Sequence, residues 1–199
     1  EEVKEILVGV LTAPAGLFLT EEKELYVADN EGGKVVVFSE TGEVLREFGR
    51  PKTATFGSDA VYRPSKVVVN ASDTIYVVSE GSFDGIIQLD QTGEFLGYFG
   101  YNNNPLTAWD YIADYFFTDE MKEQLTNRIP YSFKSVAIDK KGMLYTVTQS
   151  AKGNALKKHD VAGHNMLSTD MADEVDFVDV CLGLDKRIYA VTSTGLLFE

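Results

Sequence analysis

Few residues in this chain have the type and spacing for chemistry. It contains two histidines, His159 and His164, and one cysteine, Cys181. A metal centre needs several converging nitrogen, sulfur or carboxylate ligands. The two histidines instead flank one turn around Gly163, with no cysteine or third histidine nearby in sequence, and read as hairpin residues. The run Asp29-Asn30-Glu31-Gly32-Gly33 offers oxygen atoms to a calcium ion, but it lacks the spaced acids and distal glutamate of an EF-hand. Asn70-Ala71-Ser72 matches a glycosylation sequon and reads as an ordinary turn. A Ser-His-Asp arrangement, a P-loop and a G-x-G-x-x-G fingerprint are absent from the sequence.

The densest feature is aromatic. Trp109, Tyr111, Tyr115, Phe116 and Phe117 place five rings in nine residues, in a chain that is 12% aromatic. Ala108, Ile112, Tyr115 and Phe116 fall at i, i+4, i+7 and i+8, a helical stripe. Thr118 is a good N-cap for a second short helix, with Asp119 and Glu120 in its first turn. The spacing predicts a helical insertion near 105–128, opened by the turn-rich Tyr101-Asn102-Asn103-Asn104-Pro105. Two readings stand: the rings pack on a larger body, or they form a surface for a protein or sugar, as Tyr and Trp do at interfaces.

The elements that must position these residues follow from composition and repetition. The 199 residues are 44% hydrophobic and 25% charged, the profile of a folded chain. A net charge of −13 argues against a nucleic-acid or anionic-lipid partner. No apolar run reaches the roughly 18 to 20 residues of a membrane helix. The opening Glu1-Glu2-Val3-Lys4 is not a signal peptide, so either none existed or the chain is a mature or excised segment. A lone cysteine forms no internal disulfide and leaves the compartment open.

Four tyrosines, Tyr26, Tyr76, Tyr145 and Tyr189, anchor an internal repeat. Each follows Leu or Ile, and two positions later stands Ala28, Val78, Val147 or Val191. Nine residues before the anchors lie Leu17, Val67, Val136 and Val180; twelve before lie Pro14, Pro64, Phe133 and Phe177. A second motif repeats three times, as a short strand, a turn ending in Gly42, Gly93 or Gly163, and another strand. Glycine supplies the positive φ such a turn needs. Apolar residues at 17, 19, 25 and 27 have the period of two of strands. The first unit reads as strands A (16–19), B (25–29), C (34–38) and D (44–48). Cys181 occupies the strand A position of Phe18, Val68 and Ala137, which predicts a small buried hydrophobe. The anchors are 50, 69 and 44 residues apart, and four-stranded units of this length are blades of a β-propeller.

Pro14, Leu25-Tyr26-Val27-Ala28-Asp29, Val37-Phe38, Thr41-Gly42 and Phe48-Gly49 together resemble an NHL repeat. The second copy, Pro64 to Gly100, is similar, with Ser79 in place of Asp29; Thr148 and Thr192 stand there in the other two. The order of segments, the Trp109-Asp110-Tyr111 insertion included, resembles uncharacterised six-bladed NHL proteins of anaerobic gut-type bacteria. The resemblance implies an exported, cell-surface protein, and an Asp29 that braces the B–C turn. It covers most of the chain and says little about function, because such folds host enzymes, binding modules and scaffolds.

The expectation is therefore an all-β, NHL-type propeller of about four blades within one domain, 1–199, interrupted by the insertion at 101–128. The fourth copy ends without a strand D. Either Ile6 to Leu11 completes it and closes a four-bladed ring, or the chain is an arc of a larger propeller whose open edges can self-associate. The expected role is non-enzymatic binding of a protein or carbohydrate, with no cofactor. The competing reading is a metal-dependent, lactonase- or lyase-like enzyme holding a divalent ion in the central channel, which is what related six-bladed folds imply. A structural spacer is a third.

Overall fold

In the computed structural model, residues 9–100, 132–148, 152–153, 155–167 and 171–199 are described. The first sheet has the order β1-β2-β3-β4, formed by Pro14–Leu19, Leu25–Asp29, Lys34–Phe38 and Val44–Gly49. The second repeats it as β5-β6-β7-β8: Pro64–Val69, Ile75–Ser79, Ile86–Leu89 and Phe95–Phe99. The third holds β9 (Phe133–Ile138), β10 (Leu144–Thr148) and β12 (Leu156–His159). The fourth holds β14 (Phe177–Leu182), β15 (Ile188–Thr192) and β16 (Leu197–Phe198). All pairings are antiparallel, and the four sheets are four blades of a propeller arc.

Local chemistry repeats with the sheets. The A–B turns place Lys23, Asp73, Gly142 and Lys186 at positive φ, each three residues before its tyrosine anchor. The C–D turns place Gly42, Gly93 and Gly163 at φ of 89°, 88° and 88°. The residue three before each glycine ties the turn: Ser39 Oγ accepts from the Glu43 N–H, Asp90 Oδ1 from Thr92 and Glu94, Asp160 Oδ1 from Ala162 and His164. Asp90 and Asp160 thereby close turns of their own. In every blade strand A shifts register near its start, at Pro14/Gly16, Pro64/Lys66, Phe177/Asp179 and, on the partner strand, Val147/Thr148. These are bulges, which re-aim a side chain.

The core lies between blades, because branched and aromatic residues cover both faces of each sheet. The back of blade 1 (Tyr26, Ala28, Val35, Val37) packs on the front of blade 2 (Val67, Val69, Ile75, Val77, Ile87, Leu89). The back of blade 2 (Val68, Tyr76, Val78, Ile86) packs on the front of blade 3 (Val136, Leu144) with Phe99 and Phe133. The back of blade 3 (Tyr145, Val147) packs on Val180, Ala190 and Phe177 of blade 4.

Three expectations change. Cys181 is exposed, although Val68 at the same position is 4% exposed. The position belongs to the back face, and blade 4 has no described neighbour there. For the same reason Tyr189 is less buried than Tyr26, Tyr76 and Tyr145. Blade 3 replaces a regular fourth strand by one bridge, His159 to Asn165; its chain then runs to β13 (Met171–Glu174), which pairs with β11 (Lys152–Gly153). Blade 4 is three-stranded, as its sequence predicts. Residues 9–13 form no strand; Val10 and Leu11 pack on Val27, Val36 and Phe38 at the front of blade 1. The helical insertion and its five rings, Trp109 to Phe117, lie outside the described residues.

Candidate functional site

Ten residues before each tyrosine anchor stand Gly16, Lys66, Ser135 and Asp179, one on the innermost strand of each blade. The bulges turn three of them towards one another. Lys66 Nζ donates to Asp179 Oδ1 and Oδ2 at 3.1 and 3.0 Å, and Ser135 Oγ donates to Oδ1 at 2.6 Å. Burial works against the Asp179 charge. The Ser135 hydroxyl, the Lys66 ammonium and the Val180 N–H outweigh it and hold the carboxyl below its ordinary range. The channel wall thus carries a lysine, a serine and one carboxylate from three blades. Ser135 is 1% exposed and already spends its proton on Asp179, so the set works as a brace. Among the described residues no group of three or more His, Cys, Asp or Glu converges as a metal site would.

A second set of polar residues lies at the end of the arc where each strand A begins. Asp29 is fully buried; Oδ2 accepts from the Thr12 N–H at 3.0 Å and Oδ1 from Ala13 at 2.7 Å. Its bond to Gly32, within the B–C turn, is longer at 3.4 Å. Asp29 therefore holds the segment entering the blade more firmly than the turn. Burial opposes its charge, and these N–H groups reverse the effect and lower its pKa. In blade 2, Ser79 Oγ accepts from the Arg63 N–H at 2.8 Å and donates to the Val61 carbonyl at 3.0 Å. Between the two blades Asn30 accepts from Arg63 Nη2 at 3.0 Å and donates to Glu80 at 3.1 Å.

The same end holds an open depression of about 500 Å³, lined by Thr55 to Ala60, Asp84 and Tyr98. Its floor is the 3₁₀ turn Ala54–Phe56 in the connection between blades 1 and 2. Phe56 is buried and stacks on Tyr98 with ring centres 6.0 Å apart, while Phe95 meets both rings edge-on. Arg50 holds the loop from behind: Nη2 donates to the carbonyls of Gly57 and Ser58 at 2.6 and 2.8 Å, and the guanidinium lies 5.1 Å from the Phe56 ring centre. Tyr98 donates to the Phe56 carbonyl at 3.1 Å. Burial raises the Tyr98 phenol and nearby Asp84 raises it further, so the hydroxyl stays protonated at neutral pH. The result is an open depression with the Tyr98 ring at its edge, backed by the buried Phe56, beside two carboxylates, Asp59 and Asp84, suited to hydroxyl or N–H donors.

The histidines divide. His164 is exposed and pairs with Asp160 at 3.1 Å. His159 is 2% exposed, with Nε2 2.9 Å from Thr146 Oγ1, Nδ1 3.1 Å from the Gly163 carbonyl and Phe99 edge-on at 5.4 Å. Burial keeps its pKa below the ordinary value despite the Gly163 bond. A neutral ring donating from Nδ1 and accepting at Nε2 satisfies both contacts. Sequence reasoning missed the channel brace, and the offset of ten from each anchor is the signal that finds it. The Tyr98 depression had no such signal, because its loop lies between repeats.

No family model and no curated protein sequence matches the chain. Solved structures match in fold. A streptogramin B lyase superposes with TM-score 0.59 at 15% identity, over 98% of this chain and 57% of its own. Virginiamycin B lyase from Staphylococcus aureus gives 0.57 at 11%, over 94% and 55%. The extracellular domain of BT3049 from B. thetaiotaomicron gives 0.51 at 11%, over 92% and 21%. The chain thus spans little more than half the length of the lyases. At these identities the likeness establishes the β-propeller and leaves the function to the site.

Proposed function

We propose that this chain is part of an NHL-type, extracytoplasmic β-propeller that binds a protein or carbohydrate through its loop end and catalyses no reaction. The observation that carries this reading is the open depression where the Tyr98 ring, braced by the buried Phe56, stands beside the carboxylates of Asp59 and Asp84. In sequence the aromatic segment Trp109 to Phe117 follows β8, which carries Tyr98. Rings of this kind bury area at small entropy cost and keep polar handles. The charge of −13 suits a neutral or cationic partner. The extracellular neighbour supports the proposed location.

A glycan array and a peptide array probed with the labelled chain test the proposal. Tyr98→Ala and Trp109→Ala are expected to weaken the strongest hit by about tenfold or more, as central aromatic contacts do, with the melting temperature of Asp84→Asn unchanged and its binding reduced. Equal binding by all three variants overturns this reading, as does a chain that binds nothing on either array.

A further inference from the structure

Around the Tyr98 depression the hydrogen-bond donors are largely spent and the acceptors are open. The Phe56 and Gly57 N–H groups donate to the Thr53 and Ala54 carbonyls, the Thr55 hydroxyl to Thr53, and the Tyr98 hydroxyl to the Phe56 carbonyl. Asp59 and Asp84 stand exposed in the lining, and neither forms an ion pair with another described residue. The neighbouring cation, Arg50, is committed elsewhere: Nε and Nη2 donate to the carbonyls of Gly57, Ser58 and Ala60. Apolar surface adjoins the carboxylates in sequence. Val61 follows Ala60 and Phe83 precedes Asp84, and they are 39% and 49% exposed.

We infer that the depression takes an arginine side chain of a partner protein. The inference rests on the proposed binding role and narrows it, from a protein or a carbohydrate to a basic protein segment. A guanidinium carries N–H donors and no acceptor, which is the complement of two free carboxylates and a phenolic oxygen. A sugar hydroxyl brings lone pairs with its proton, and those find few donors here. The guanidinium plane also stacks on aromatic rings, which a lysine ammonium cannot do. The molecule already makes one such contact at this place, with Arg50 held 5.1 Å from the Phe56 ring centre. The methylene stem of an arginine covers apolar surface while its head stays among polar groups, and the Tyr98 ring at the edge of the depression supplies that surface. The net charge of −13 draws a basic partner from a distance.

Amide NMR shifts of the full, isotope-labelled chain test this with three probes: the peptide acetyl-Gly-Arg-Gly-amide, its neutral isostere with citrulline in place of arginine, and methyl glucoside. The arginine peptide is expected to move the amides of Thr55 to Ala60, Asp84 and Tyr98, and to bind more weakly as salt rises. The citrulline peptide and the glucoside are expected to leave them in place. Asp59→Asn and Asp84→Asn should each weaken the arginine peptide by about two- to fivefold, the range of exposed ion pairs. An otherwise unchanged amide spectrum shows that each variant is folded. Citrulline binding as tightly as arginine overturns the inference, as do two variants that bind as well as the unaltered chain. Glucoside moving these amides where the arginine peptide does not overturns the inference and leaves the proposed binding role standing. Amides that no probe moves overturn the inference and the depression as a binding site together.

Discussion

Lys66 Nζ lies 3.0 Å from Asp179 Oδ2, joining the second blade to the fourth in front of Ser135, which belongs to the third. The pair is partly exposed, with side chains 30% and 47% accessible, so solvent screens it and Lys66→Met is expected to cost no more than about 1 kcal/mol. Ser135→Ala removes a buried donor and is expected to cost about 1 kcal/mol. Asp179 adds a pH dependence. Its carboxyl is held below 3.8 in the folded chain, so its contribution is complete above that value and is lost as pH falls through the lower, folded one. Melting curves between pH 2 and 7, in steps of about one unit, check this: Asp179→Asn should flatten the acid limb.

His159 gives a second, separate window. Burial depresses its pKa below 6.5, so the unfolded chain takes up a proton before the folded one does. Stability is full above 6.5, falls as pH drops towards the depressed value, and levels off below it. His159→Phe, which restores the residue type of Phe38, is expected to abolish this step. It also leaves Thr146 Oγ1 without its ring partner, at a cost of about 1 to 3 kcal/mol. Comparing thermal melts of the two proteins between roughly pH 5 and 8 separates the window from that of Asp179.

The architecture was legible because its causes are local. Tyr26 with Leu25 and Val27, the Gly42 turn and the alternation at 17 and 19 each fix one strand or one turn, and four repetitions fix the arc. Burial was less legible, because it depends on the neighbour. Cys181 and Val68 hold the same register position, and only the presence of a further blade separates a buried residue from an exposed one. His159 was read as a hairpin residue, since nothing in the sequence shows that Thr146 and Gly163 satisfy its ring. Asp179 carries no motif; it becomes visible only when the position ten before each tyrosine is compared across all four blades.

Asp29 and Ser79 perform one task with different chemistry. Each takes the N–H of the residue sixteen positions earlier, Ala13 or Arg63. Asp29→Ala leaves the N–H groups of Thr12 and Ala13 without that acceptor and is expected to cost about 1 to 3 kcal/mol. Asp29→Ser, the residue blade 2 uses, is expected to recover part of the loss. Urea denaturation of the three proteins ranks them, and a serine variant no better than alanine sinks the equivalence.

Gly16 completes the channel position shared with Lys66, Ser135 and Asp179, and its lack of a side chain has a physical cause. A Cβ there would press well inside contact distance on the Ser65 carbonyl oxygen and lie 3.0 Å from the Lys66 Cα. Both are backbone atoms of the next blade, so no rotamer change relieves them. Gly16→Ala must push blade 2 away from blade 1, and overpacking of this kind costs roughly 1 to 3 kcal/mol. Gly49, at the end of β4, has nothing within 4 Å of its added Cβ, so Gly49→Ala serves as the control. With an unstrained backbone it should be neutral or gain a few tenths of a kcal/mol from the less flexible unfolded chain. In a chain of this size 1 kcal/mol moves the melting temperature by about 2 to 4 °C. Calorimetry should therefore show Gly16→Ala melting several degrees below Gly49→Ala. Equal melting temperatures would mean that β1 and β5 do not approach as closely as the contact of Gly16 with the Ser65 carbonyl implies.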